Sequence, residues 1–423
     1  MSKRLRVPHL PQPRSGNLAI LFLSTFVVMM GFGIVMPVIP FFTERLARAT
    51  GFSGKNIPLH VGLLTAIYPL MQFLFAPLWG RQSDRVGRKR MLLIGIAGSA
   101  AAQILFGVST SLWLLYGARA FGGIFSAATL PAASAQVADM TSVAGRARGM
   151  AWLRTAVGLG SIAGLALGGV TARKDLHLNW SAGHFLVDGF SIPFFLAALL
   201  MLFALGIAAL WLANSSSSHP APDGDEEKPD RGWIAHRAIR FALGLTAGGQ
   251  FALAVFEGTF ALYAQKRLGY GPVQVGVVFM VCGLVMSIFQ YLAVRFLSQL
   301  LQPLHQIVIG FMLMGVGQLI LPFVQPPLVL LAVGVIGFGM ALVSPNLAAQ
   351  ISRLAGNRQG QSLGWQSAAE STGQVAGPLV GSLLFSLYAR LPYLLAGAFL
   401  VGVGASAAFT KSAKVRGARN ADG

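Results

Sequence analysis

The stretch WLRTAVGLGSIAGLALG at residues 152–168 returns as WQSAAESTGQVAGPLVG at residues 365–381. Tryptophan opens both copies, and the triplet Gly160, Gly164, Gly168 recurs as Gly373, Gly377, Gly381. Working outward, the same spacing joins Gly62 to Gly276, Gln103 to Gln318, Pro131 to Pro345 and Gln136 to Gln350. The offset stays between 213 and 215 through four successive apolar segments, which scattered coincidence does not produce. The chain reads as two parallel copies of one unit, and such duplicated apolar halves place a site between them.

Composition agrees. With 55% hydrophobic and only 11% charged residues, and a mean hydropathy of +0.66, the chain is built for lipid. A spanning helix takes about 20 apolar residues. Twelve such segments fall near 18–42, 60–79, 91–109, 111–137, 150–172, 190–213, 241–264, 273–297, 304–323, 328–350, 362–388 and 391–410. The expected architecture is an all-α membrane protein with twelve transmembrane helices in two pseudo-symmetric six-helix bundles. The first bundle covers 1–213 and the second 238–423, which ends in a basic tail. Between them, 214–237 contains NSSSSHPAPDGDEEKPDR, a Ser, Pro and acid-rich run with too little apolar surface to order itself, expected as a flexible cytoplasmic linker.

Lys and Arg in short connections bias them toward the cytoplasm. With the N-terminus inside, 22 of the 32 lie on the inner side, eight on the outer side, and Arg119 and Arg154 within segments. Both termini are expected in the cytoplasm, in a monomer of the cell membrane. The net charge of +19 then faces anionic lipid. No basic run with interleaved aromatics points to nucleic acid. A cleaved signal peptide is disfavoured, because the first apolar run exceeds the usual h-region of about 7–15 residues. The lone Cys282 forms no intramolecular disulfide, and the seven histidines make no metal-ligand spacing. Neither a cofactor nor an enzymatic nucleophile is indicated.

Two acids stand inside apolar segments, Glu257 in the seventh and Glu370 in the eleventh. An acid at bilayer depth costs about 2.5–3.5 kcal/mol on insertion scales and usually faces a cavity. Thr246, Gln250 and Glu257 share one helical face, and Ser362, Gln366, Glu370 and Gln374 follow i, i+4 spacing. A carboxyl group shut away from water favours its neutral form and releases its proton when water or a cation arrives, which is what coupling to a proton gradient requires. Glu257 is the expected main coupling residue and Glu370 a secondary one; Arg119 is a candidate partner or relay. Tyr68, Gln72, Gln250, Phe256, Phe260, Gln290, Asn346 and Gln366 are candidates for an apolar pocket with a few polar groups. The glycine triplets also have a plain packing role, since small residues every four positions let helices approach closely.

Between the second and third segments runs GRQSDRVGRKR at residues 80–90, read as a tight, charged turn. It resembles the loop signature of the major facilitator superfamily. That resemblance implies a cytoplasmic latch of Gly80, Asp84, Arg85, Gly87, Arg88 and Asp139, with the start of segment eleven near Gln361 as the dipole partner. Three further stretches are similar to motifs of the twelve-helix drug:proton antiporter branch. They are the Pro37 to Pro40 ending of segment one, Arg119 with Gly122 and Gly123 in segment four, and the Gly160, Gly164, Gly168, Gly169 run in segment five. The branch's usual proline in that run is Leu165 here, while Gly377-Pro378 supplies the dipeptide in segment eleven.

The resemblance implies a proton-coupled exporter of small hydrophobic or cationic compounds such as drugs, working by alternating access with the proton gradient as energy source. A metabolite or sugar exporter and a lipid-linked flippase are alternatives of the same fold. A non-transporting sensor is an alternative of another class, and it would place function in the central linker.

Overall fold

Backbone polar groups have no water to bond in the hydrocarbon core, so apolar segments close into helices that satisfy their own amides. A computed structural model shows this for the described residues 15–49, 56–141, 143–172, 180–182, 185–187, 189–213, 237–355 and 359–419. The first half comprises α1 (Ser15–Val35), α2 (Ile39–Ala49), α3 (Ile57–Val86), α4 (Arg88–Gly107), α5 (Leu112–Met140), α6 (Val143–Thr171) and α7 (Ile192–Trp211). A small antiparallel hairpin, β1 (Trp180–Ala182) with β2 (Phe185–Val187), precedes α7 and sets Trp180 opposite Val187. The second half comprises α8 (Arg237–Tyr263), α9 (Pro272–Leu292), the single turn α10 (Ser298–Leu300), α11 (Pro303–Ile320), α12 (Leu328–Ala355), α13 (Gln359–Leu387) and α14 (Leu391–Arg419). Most of the linker expected at 214–237 lies outside the described residues, as do residues 1–14.

Among the described residues, nine helices are long and apolar enough to cross a membrane. The other three membrane-length segments fall short for physical reasons. Arg119 and several glycines dilute α5, and α13 carries Ser362, Gln366, Glu370 and Gln374. For α14, the apolar stretch among the described residues is short, 391–406. Segment one does not run unbroken to 42. The chain turns at residues 36–38, where Pro37 cannot donate a helical hydrogen bond, and restarts as α2.

The duplication is written into the packing. In the first half α1 packs on α6 and α7, α4 on α5 and α7, and α3 on α5. In the second half α8 packs on α13 and α14, α11 on α12 and α14, and α9 on α12, the same pattern one repeat later. Even a buried hydrogen bond is copied. Gln103 Nε2 donates to the Gly31 carbonyl at 2.8 Å, and its repeat partner Gln318 Nε2 donates to the Ala252 carbonyl at 2.8 Å. Each amide ties the third membrane-length helix of its half to the first. A buried bond of this kind is worth about 1 kcal/mol net. Gln318→Leu should therefore lower stability in detergent by about that amount, and Gln103→Leu by a similar one. Thermal unfolding of the two variants side by side checks this, and unequal losses would mean the two bonds are not equivalent.

The charged stretch 80–90 is not one extended turn. Helix α3 continues to Val86 and α4 begins at Arg88, so the reversal rests on Gly87 alone, at φ 102°. Only glycine adopts that backbone readily. Gly80 lies inside α3, and an added side chain there would meet nothing within 4 Å.

Candidate transport cleft

The two halves touch along two seams, α3 with α13 and α6 with α9. Both are built on glycine, and they are images of each other under the repeat. A β-carbon on Gly62 of α3 would sit 2.6 Å from the Pro378 carbonyl oxygen of α13. A β-carbon on Gly276 of α9 would sit 2.9 Å from the Leu165 carbonyl oxygen and 2.7 Å from Gly169 Cα of α6. Gly62 and Gly276 are repeat partners, and so are Leu165 and Pro378. The residue that replaces the antiporter proline thus occupies the same seam position as the proline retained in the other half.

The glycine triplets do something different: they pack helices within each half. Added β-carbons on Gly160, Gly164 and Gly168 would run into α1 at Phe26, Met30 and Ile34. Those on Gly373, Gly377 and Gly381 would meet α8, at 2.6 Å from the Ala247 carbonyl, 2.7 Å from that of Phe251 and 3.1 Å from Thr259 Cγ2. Pro378 presses on Gly258 of α8 as well. Gly169 alone of the first run turns to the opposite half.

Contact loosens along the α6/α9 seam. Gly283 meets Ile162 closely, whereas a β-carbon on Gly158 would stay 3.9 Å from Ser287 Oγ. Further in that direction the repeat-related Trp152 and Trp365 are 53% and 46% exposed. The close contacts between the halves therefore lie at the end away from Gly87 and thin out toward the Gly87 end, where a cleft between them would open. At its mouth Arg88 Nε lies 3.2 Å from Asp139 Oδ2, joining α4 to α5 within the first half. Arg85 is exposed. The side chains of Asp84 and Gln361 lie outside the described residues. With both partners partly solvated, the Arg88 and Asp139 pair is worth about 0–1 kcal/mol. A double-mutant cycle with Arg88→Ala and Asp139→Ala should return a coupling in that range, and the coupling should shrink as salt rises.

Both acids lie on the neighbouring helices α8 and α13. Glu257 is half-buried, next to Gly258, which packs on Pro378, and within electrostatic reach of Cys282 on α9. Glu370 is half-buried too. Its Oε1 accepts from Gln366 Nε2 at 3.0 Å, and Arg154 of the opposite half acts on it electrostatically. Eight residues separate Glu370 from Pro378, so the two acids sit about 12 Å apart in depth, with Glu370 nearer the open mouth. Gln250 is buried, with its β-carbon against Gly373 of α13.

Other expected pocket residues divide. Gln72 is half-buried and donates to Ser126 Oγ at 3.1 Å, and Gln290 is exposed. Asn346 Nδ2 donates to Gln306 Oε1 at 3.0 Å, which fixes it between α12 and α11. Phe256 and Phe260 are not cleft residues. Both are fully buried and meet Phe279 edge-to-face in the core of the second half. Their helical face is apolar on both sides of Glu257, and sequence spacing does not reveal which face turns inward. Tyr68 is likewise buried, beneath Arg119. Arg119 partners neither acid. Its Nε donates to the Leu64 carbonyl at 3.1 Å, and the guanidinium lies 4.6 Å over the Tyr68 ring and 5.6 Å over Phe32, all within the first half.

Two like halves, joined by mirrored seams around a one-sided cleft, match a family of known sequences. The pattern of the Major Facilitator Superfamily covers residues 21–378 and again 296–421. The chain belongs to the Major Facilitator Superfamily. Multidrug resistance protein 2 of Bacillus subtilis (strain 168) is 28% identical over 396 residues, spanning 91% of this chain and 93% of that protein. The class G tetracycline resistance protein of Vibrio anguillarum is 31% identical, over 84% of this chain and 87% of its own. Among solved structures, the human organic anion transporter MFSD10 is 22% identical with a TM-score of 0.65, covering 93% of this chain and 99% of that one. This facilitator is thus a multi-pass membrane transporter rather than an enzyme.

Sequence reading of the facilitator missed one polar contact between its halves. Gln265 Nε2, in the π-helical turn Ala264–Leu268 that ends α8, donates to a carboxylate oxygen of Glu44 on α2. It lies at the closed end, beside the glycine seams. The π-turn is the kind of local irregularity often found at functional positions. The signal in the sequence was faint: an acid and an amide near opposite segment ends, 221 residues apart and off the repeat spacing.

Proposed function

We propose that this facilitator exports small hydrophobic or cationic compounds, drugs among them, from the cytoplasm in exchange for protons. The observation that supports the reading is two acids at different depths on adjacent helices of the second half, beside glycine seams that hold the two halves together at one end and thin out toward the other. With the positive-inside orientation, the open end is cytoplasmic and both termini lie inside, so the cleft is poised to take cargo from the cell. The 1–213 and 238–423 units would rock as bodies about the seams, tethered by the intervening linker. Relatives named for multidrug and tetracycline resistance support the cargo class.

Within the cleft, Glu257 is the deeper acid and the proposed site where proton and cation compete. Glu370, held by Gln366 and facing Arg154, is the secondary one. Proton and cargo must bind the two orientations unequally, since a ligand with equal affinity for both shifts nothing. The buried Arg119 lies outside this exchange. The purified protein acts as a monomer in this scheme.

Reconstituted vesicles with an imposed pH gradient and a panel of lipophilic cations, neutral drugs and sugars test the proposal. Gradient-driven movement of the cations and drugs, abolished when the gradient is collapsed, is the expected result. Transport that ignores the gradient, or that favours sugars, would overturn it. Deleting residues 215–230 should leave flux unchanged; its loss would instead favour the sensor reading.

A further inference from the structure

Arg119 is held by the Leu64 carbonyl and by the rings of Phe32 and Tyr68, none of them a carboxylate. It is only 3% exposed, and its Nη2 has no hydrogen-bond partner. A buried donor or charge left in that condition is costly. The same small cavity is lined by Ser99, 4% exposed, and Gln103, 8% exposed, whose Oγ and Oε1 are also without partners. Tyr68 and Met201 are part of its wall, and the rest is apolar or glycine. Three side chains from α4 and α5, each with an orphaned polar atom, thus line one space with room for about one water.

Their polarities select the occupant. Arg119 Nη2 can only donate, and Ser99 Oγ can do either. Gln103 Oε1 can only accept, and it is held toward the cavity because its own Nε2 is committed to the Gly31 carbonyl. A small anion would satisfy the arginine and face repulsion from the amide oxygen. A water satisfies all three. The second half supplies an internal comparison. Gln318 makes the copied hydrogen bond, but repeat spacing places Met314 at the Ser99 position and Val333 at the Arg119 position, both fully buried.

We propose that this cavity binds one water molecule, which accepts from Arg119 Nη2, donates to Gln103 Oε1 and shares a hydrogen bond with Ser99 Oγ. The water joins α4 to α5, so that a lone guanidinium is held inside the first bundle without a counter-charge. In the second bundle Gln318 Oε1 is also without a partner, but Met314 and Val333 stand where the first bundle has Ser99 and Arg119, so the two other polar groups of the site are missing there.

Radiolytic hydroxyl-radical labelling of the purified full-length protein tests this, because a bound water marks the oxidisable side chains beside it. In the native protein, Tyr68 and Met201 should label although buried, while the fully buried Tyr393 and Met314 of the second half should not. Ser99→Met, which borrows the second half's residue, should abolish labelling of Tyr68 and Met201. If that variant does not fold, Ser99→Val serves the same purpose. Native Tyr68 and Met201 as silent as their counterparts, or labelling that survives the filled cavity, would overturn the proposal. So would anomalous density for bromide beside Arg119 in crystals grown with that ion, which would identify an anion in place of the water.

Discussion

Gly276→Val should hold the facilitator away from the state described above and shift it toward one open at the far end. A β-carbon at that position falls 2.7 Å from Gly169 Cα and 2.9 Å from the Leu165 carbonyl. Both are backbone atoms of a packed helix, which cannot swing aside as a side chain would. The halves must part to accommodate it. Overpacking of this kind costs about 1–3 kcal/mol, which corresponds to a population shift of roughly 5–150-fold. Because Gly62 is the repeat partner, Gly62→Val should act in the same direction through the other seam. Gly206→Ala, at a site with open space, should do nothing. Spin labels on cysteines at Leu59 and Leu387, in a Cys282→Ser background, would report the separation of the far ends. Longer distances and slowed transport in both valine variants are expected. An unchanged distance distribution would show that the glycines are not what lets the halves close.

Glu257→Gln should reduce gradient-driven accumulation of cargo to the level of wild-type vesicles without a pH gradient, while leaving passive exchange of cargo across the vesicle in place. Glutamine keeps the size and hydrogen-bonding reach of the side chain but cannot gain or lose the proton. A carboxyl at membrane depth is retained against an insertion cost of about 2.5–3.5 kcal/mol, which implies a use for its charge. Glu370→Gln should have the smaller effect, because Glu370 lies nearer the open mouth and already has Gln366 as a partner. The measurement is uptake into reconstituted vesicles at fixed membrane potential with the pH gradient varied. Full pH dependence in Glu257→Gln would remove Glu257 from the mechanism and leave Glu370 as the coupling acid.

Much of this was legible before any coordinates. Gly62, Gly276, Gln103 and Gln318 belong to the duplication ladder, and each proves to have a structural reason for being copied. The glycines let opposite halves approach, and the glutamines pin the third helix to the first. The acids were legible because a charge in a long apolar run is conspicuous at any orientation. What failed was the assignment of faces. Phe256, Phe260 and Tyr68 stand on the right helices, but they turn into the bundle, and the composition of an α-helix surrounded by other helices does not separate cleft from core. The stretch 80–90 misled for a related reason: charge and glycine suggest a turn, yet long basic side chains at a membrane surface are compatible with a helix that continues to Val86.

By itself the sequence determined that this protein spans a membrane, that it is built twice, and that two carboxyl groups lie at depths where they are costly. Those properties follow from composition and spacing, which act along the chain and need no partner. Only the tertiary structure decided where the halves meet, at which end they pack most closely, that Glu44 reaches Gln265, and that Arg119 is walled off from both acids. These are contacts between residues far apart in the chain. They depend on which face each helix turns inward, and that choice is made by the packing of all the helices together.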